Sequence, residues 1–225
     1  MSLRQWSGWI AGMCLLAGVS WAQASAHKSP AYGVVEEATE RVMAVVQDAE
    51  SYAEQDPERY YNEIQTILDP VVDFRGFARS VMGPYASSDR YRSLDEAGRA
   101  QLRDQLDRFT EVMRLGLVRT YSKGLLAFGG SRIEVVPPGT DDPAASRVSV
   151  KQLVFSDEPD PYVLFYQMGR NKAGDWKLRN IIIESVNLGE IYRSQFEASA
   201  RKYEGDLDSV IDNWTTVEVE TEVET

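Results

Sequence analysis

Histidine and cysteine are almost missing from this chain: its 225 residues hold one of each, His27 and Cys14. A lone histidine near the N-terminus removes the Ser–His and Cys–His pairs that activate nucleophiles, and with them most zinc sites. A lone cysteine leaves no internal disulfide. Cations are also short, with 24 Lys and Arg against 35 Asp and Glu and a net charge of −11. That balance disfavours nucleic acid, which needs clustered Lys and Arg, and docking on anionic membranes by charge alone. No Walker loop and no dinucleotide-binding glycine pattern occurs. The acidic pairs Asp141-Asp142 and Asp157-Glu158 lack the alternating ligands and late glutamate of a calcium loop. No apolar run reaches the roughly 20 residues that span a bilayer.

The apolar run that does exist, Trp9 to Val19, follows Arg4 and precedes the small-residue sites Ala22-Gln23-Ala24 and Ala24-Ser25-Ala26. A basic start, a short apolar core and an A-x-A site make up a secretory signal peptide, here residues 1–26. Cleavage after Ala24 or Ala26 is expected, and it takes Cys14 with it. The expected export places the remainder outside the cytoplasm. Residues 27–214 read as one domain. Residues 215–225 alternate Thr, Val and Glu and read as a solvated acidic tail.

What is present in abundance is amphipathic pattern. Ala31 to Tyr52 carries Val34, Val35, Ala38, Val42, Val45 and Val46 at helical spacing. Asp56-Pro57 restarts a helix that runs to Leu68, and Asp73 caps a short one containing Phe74, Phe77, Ala78, Val81 and Met82 that stops at Gly83-Pro84. Ser93 with Glu96 reads as a capping box opening a helix of some 30 residues, with Leu102, Leu106, Phe109, Met113, Leu117 and Tyr121 along one side. The period then changes. Residues 131–136, 146–156, 162–170 and 175–183 read as four strands joined by short Pro-, Asp- and Gly-rich turns, an antiparallel meander. Helices over 188–203 and 207–214 close the chain. The expected fold is α+β, with N-terminal helices packed on a curved four-stranded antiparallel sheet and closing C-terminal helices.

Three carboxylates border apolar segments and are open to acid–base work: Asp73, Asp175 and Glu184. A helix cap is the simpler role for Asp73, and a structural hydrogen bond at a strand end the simpler one for Glu184. The strand Tyr162 to Met168 is apolar on both faces apart from Gln167, more apolar surface than one layer of helices needs. A packed core and an apolar cavity both account for it.

Ordered motifs separate those readings. Asp73 to Gly83, Leu117 to Leu125, Gly174 to Leu178 with Glu184 to Leu188 and Tyr192 to Phe196, and Gly205 to Ile211 together resemble the MlaC family, in that family's order, over about residues 30–214. The resemblance implies a periplasmic phospholipid carrier that maintains outer-membrane lipid asymmetry. It implies an apolar cavity between helices and sheet, no enzymatic step and no cofactor. The implied partners are an outer-membrane lipoprotein–porin complex and an inner-membrane ABC transporter complex with a lipid-binding subunit. Inward positions expected to hold acyl chains are Phe74, Phe77, Val81 and Met82 on the short helix and Phe109, Met113 and Leu117 on the long one. From the sheet come Val150, Val154, Leu164, Tyr166 and Met168. Arg75 and Arg79 are candidates for a phosphate at the rim, with solvation as the plainer role. A small isomerase-like enzyme with one buried acid, and a periplasmic adaptor without ligand, are the competing classes.

Overall fold

Helix α1 (Pro30–Ala49) begins the part of the chain that the structure, a computed structural model, describes: residues 30–126, 129–138, 144–156 and 159–215. The expected signal segment, both acidic turn pairs and all of the expected tail beyond Thr215 lie outside the described residues. Helix α2 (Pro57–Leu68) starts where Asp56 accepts a hydrogen bond from the Arg59 backbone N–H, with Pro57 costing nothing in the first turn. Helix α3 (Phe74–Met82) is capped by Asp73, which accepts from the Gly76 N–H. Glycine at position 76 leaves room for the Asp73 carboxylate and the Arg179 guanidinium that pairs with it, which a Cβ there would push aside. Helix α3 stops at Gly83, whose φ of 53° is open to glycine at little cost.

Two local expectations differ from the structure between α3 and the long helix. A short helix α4 (Ser88–Ser93), capped by Ser87, fills a stretch to which no element was assigned. It buries no side chain, so it leaves no periodic signal. The Ser93–Glu96 capping box does not form. The Ser93 hydroxyl donates instead to the Arg90 carbonyl at the end of α4, and Asp95 accepts from the Gly98 N–H to cap helix α5 (Glu96–Leu126). An ionised cap also complements the helix dipole, which a serine does not.

Strands β1 (Arg132–Val136), β2 (Arg147–Phe155), β3 (Tyr162–Arg170), β4 (Trp176–Ile183) and β5 (Val186–Asn187) form one antiparallel sheet in sequence order. The sheet thus has five strands where four were expected. The fifth is two residues long and pairs with Ile182 and Ile183, too short for alternation to reveal. Helices α6 (Leu188–Lys202) and α7 (Leu207–Asp212) close the chain.

The cross-strand rows Val150–Tyr166–Ile181 and Gln152–Leu164–Ile183 belong to one face of the sheet, and that face packs on α1. The long helix packs on α2, α3 and α7, while the sheet is met by α1, α3 and α6. The buried core consequently divides in three. One cluster lies among α3, α5, α6 and α7, one between α1 and the sheet, and one among α1, α2, Phe74 and Val118.

Candidate functional site

The three clusters meet along a line of apolar residues that are only half-buried. Leu117 touches the first and third clusters, Ile181 the first and second, and Val72 the second and third. Tyr121, Ile183 and Val186 border the helical cluster, and Tyr166 the sheet cluster, again half-buried. Tyr166 stands mid-strand with its hydroxyl donating to Gln152 Oε1 at 2.7 Å, and Gln152 Nε2 donating to Thr39 Oγ1 at 2.8 Å. Burial holds the Tyr166 hydroxyl well above its ordinary pKa, yet the side chain keeps part of its surface accessible.

The structure distributes the twelve expected cavity positions over this frame. Phe77, Val81, Met82, Phe109 and Met113 share the helical cluster, and the last four of them have no accessible surface. Phe109 meets Phe196 and Trp214 edge-on, each at 5.0 Å between ring centroids, and Phe77 meets Tyr192 at 6.1 Å. Those positions are packing positions in this structure. Phe74, at the first turn of α3, belongs to a different cluster and packs with Tyr60, Ile64 and Val118. Val150 and Met168 are buried under α1, and Val154 is buried nearer the far end of β2. Leu117, Leu164 and Tyr166 are half-buried. Tyr121, Ile181, Ile183 and Val186 belong with them and were not singled out from sequence. The run Ile181-Ile182-Ile183 is apolar at every position, and alternation cannot say which of its residues points inward.

Each acid considered for acid–base chemistry has a structural occupation. Asp73 caps α3 and pairs with Arg179. The Glu184 carboxylate accepts from the Val163 N–H, at a φ of 54°, while its own N–H donates to the Val163 carbonyl at 2.8 Å. Asp175 accepts from Asn171 Nδ2 at 3.0 Å in an exposed turn. Arg75 pairs with Asp107, and Arg79 donates to the Ala86 carbonyl and the Ser88 hydroxyl. Among the described residues no three of His, Cys, Asp and Glu stand together as a metal site, and no helix is long and apolar enough to cross a membrane.

Comparison with known proteins adds three findings. A family model described as MlaC protein matches residues 36–216. The toluene tolerance protein ttg2D of Pseudomonas putida is 29% identical over 183 residues, which cover 81% of this chain and 79% of that protein. A solved structure of a phospholipid-binding protein from Ralstonia solanacearum, in complex with a phospholipid, superposes with a TM-score of 0.66 at 19% identity. The match covers 81% of this chain and 93% of that one, and it shows a shared fold.

Proposed function

Since the chain belongs to the MlaC family, we propose that it binds a phospholipid and carries it between two membranes across the periplasm. The acyl chains lie along the line where the three core clusters meet, against Leu117, Tyr121, Leu164, Tyr166, Ile181 and Ile183. The observation that carries this reading is the set of half-accessible apolar side chains that border the three core clusters, with the long helix packed on other helices instead of on the sheet. The lipid bound to the Ralstonia solanacearum protein of the same fold supports it.

The physical need is clear. Two acyl chains carry on the order of 30 methylenes, and exposing them to water costs upward of about 20 kcal/mol at roughly 0.8 kcal/mol each. Free crossing of an aqueous gap is negligible, so a carrier has to offer an apolar enclosure that rivals the bilayer. Apolar contact is non-directional, which lets chains slide in and out without breaking ordered hydrogen bonds. No covalent step and no cofactor is required. The direction of flow is then set by the complexes that the carrier visits, an outer-membrane lipoprotein–porin complex and an inner-membrane ABC transporter with a lipid-binding subunit.

The test is direct. Protein purified without detergent is extracted with organic solvent, and the extract is weighed by mass spectrometry. Phospholipid near one equivalent per chain is expected. Protein that yields no lipid, and that also takes none from liposomes, would leave the ligand-free adaptor as the better reading.

A further inference from the structure

Among the described residues three polar side chains are buried, Gln105, Ser122 and Gln152. Gln105 and Ser122 lie on α5. Gln152 alone stands on the sheet. It is 3% exposed and interrupts the apolar series Val148, Val150 and Val154 on the face of β2 that packs on α1. A buried amide costs free energy wherever its hydrogen bonds are incomplete, and an apolar side chain at this position would avoid that cost.

The hydrogen bonds of Gln152 are incomplete. A glutamine amide has two N–H donors and a carbonyl oxygen with two lone pairs. Gln152 Oε1 accepts from the Tyr166 hydroxyl at 2.7 Å, and Nε2 donates to Thr39 Oγ1 on α1 at 2.8 Å. Among the described residues Nε2 meets no second acceptor, and the Thr39 hydroxyl, which accepts from Gln152, donates to none. Two adjacent donors, one N–H and one O–H, are left over on a relay of three neutral side chains.

The relay adjoins the residues proposed to meet the acyl chains. By strand register Gln152 is directly opposite Leu164, which is itself opposite Ile183, and the relay's own Tyr166 is opposite Ile181. Directly opposed residues on one face have Cβ atoms about 5 Å apart, so a molecule that covers Leu164 passes within reach of the amide. The oxygens of a phospholipid differ in kind. Those of its phosphate are charged, and burying a charge against neutral donors alone is costly. An ester carbonyl is neutral, can accept two hydrogen bonds and stands at the head of every ester-linked acyl chain. It is the acceptor that suits two neutral donors in an apolar wall.

We infer that Gln152 Nε2 and the Thr39 hydroxyl hold an ester carbonyl of the bound lipid, with Tyr166 fixing the orientation of the amide; this deepens the carrier reading above and rests on it. The pair makes the protein selective for ester-linked chains over ether-linked ones, a distinction that non-directional apolar contact does not draw.

In the test, lipid-stripped protein is given vesicles that hold, in equal amount, phosphatidylglycerol with ester-linked chains and its analogue with ether-linked chains of the same length. The lipid taken up is counted by mass spectrometry. Wild type should prefer the ester-linked lipid by about fivefold or more, the effect of one or two neutral hydrogen bonds. Gln152→Leu should reduce that preference to under about twofold by lowering uptake of the ester-linked lipid. Thr39→Val should fall between the two, which keeps the test valid if Gln152→Leu folds poorly. Wild type that takes both lipids equally overturns the assignment and leaves the carrier reading standing. A preference that persists undiminished in both variants places the carbonyl elsewhere and overturns it as well. Binding of a free fatty acid that Gln152→Leu abolishes, with the ester preference untouched, makes this a site for the free acid and overturns the ester role. Wild type that takes up neither lipid sinks the carrier reading, and this inference with it.

Discussion

Leu164 and Met113 look alike in the sequence, each an apolar residue at an inward position, and the structure separates them. Met113 has no accessible surface and sits in the helical cluster, whereas Leu164 is half-buried on the sheet face that packs on α1. An aspartate at position 113 has no partner and no water, and its burial should cost several kcal/mol. Met113→Asp is therefore expected to unfold much of the protein, read as loss of the far-ultraviolet circular dichroism signal or a collapse of Tm. Leu164→Asp keeps its carboxylate hydrated in an emptied enclosure, so this variant should stay folded and lose bound lipid. Equal destabilisation by the two changes would make Leu164 ordinary core. The same contrast explains what sequence could not give. Transfer from water rewards an apolar side chain equally whether a neighbouring residue or a lipid covers it.

Among the elements, α7 is short, and its attachment is partly ionic. Leu207, Val210 and Ile211 are buried, and on its polar side Asp208 accepts from Gln105 Nε2 at 3.0 Å and Arg108 Nη1 at 2.5 Å. Asp212 accepts from Arg108 Nη2 at 2.5 Å. The hydrogen bond from Gln105, then that from Arg108, holds the Asp208 carboxyl below its ordinary value of 3.8. A depressed folded-state pKa stabilises the fold fully above the unfolded value, and the stabilisation is lost as pH falls through the folded one. The contribution of Asp208 should therefore be intact above about pH 4 and vanish on further acidification. Asp208→Asn removes this dependence. Chemical denaturation of wild type and D208N at pH 7 and near pH 3 should show a stability gap at the higher pH that narrows at the lower. A constant gap would mean that the carboxylate contributes nothing through its charge. Asp208 is partly exposed and screened, so the gap should be small.

The element boundaries show how far local signals reach. Asp56, Asp73 and Asn187 cap helices α2, α3 and α6, and each is a residue whose short acceptor can reach the free N–H groups of a first turn. At Ser93 and Asp95 two cap formers stand two residues apart. The choice between them depended on a six-residue helix that buries no side chain, which sequence pattern cannot register. Strand β5 escaped notice for a related reason, since two residues carry no period.

For the whole molecule, a core in three parts predicts that cargo is part of the structure. A ligand that binds only the folded state raises stability by about 2.7 kcal/mol at 100 times its Kd. Protein purified with its lipid should melt several degrees above the same protein after solvent extraction and refolding, and reloading from liposomes should restore the difference. The Leu164→Asp variant should melt close to stripped wild type and gain little from reloading. Identical melting of loaded and stripped wild type would mean that whatever the protein carries lies outside its core.

The division between helices and sheet, the order of the elements, the caps at Asp56 and Asp73 and the family resemblance are all local properties of the chain. Periodicity, turn chemistry and motif order act over a few residues and are written in the sequence. The division of apolar residues into packed core and half-buried border depends on which surfaces meet. It was decided by α5 packing on α2, α3 and α7 while α1 took the sheet.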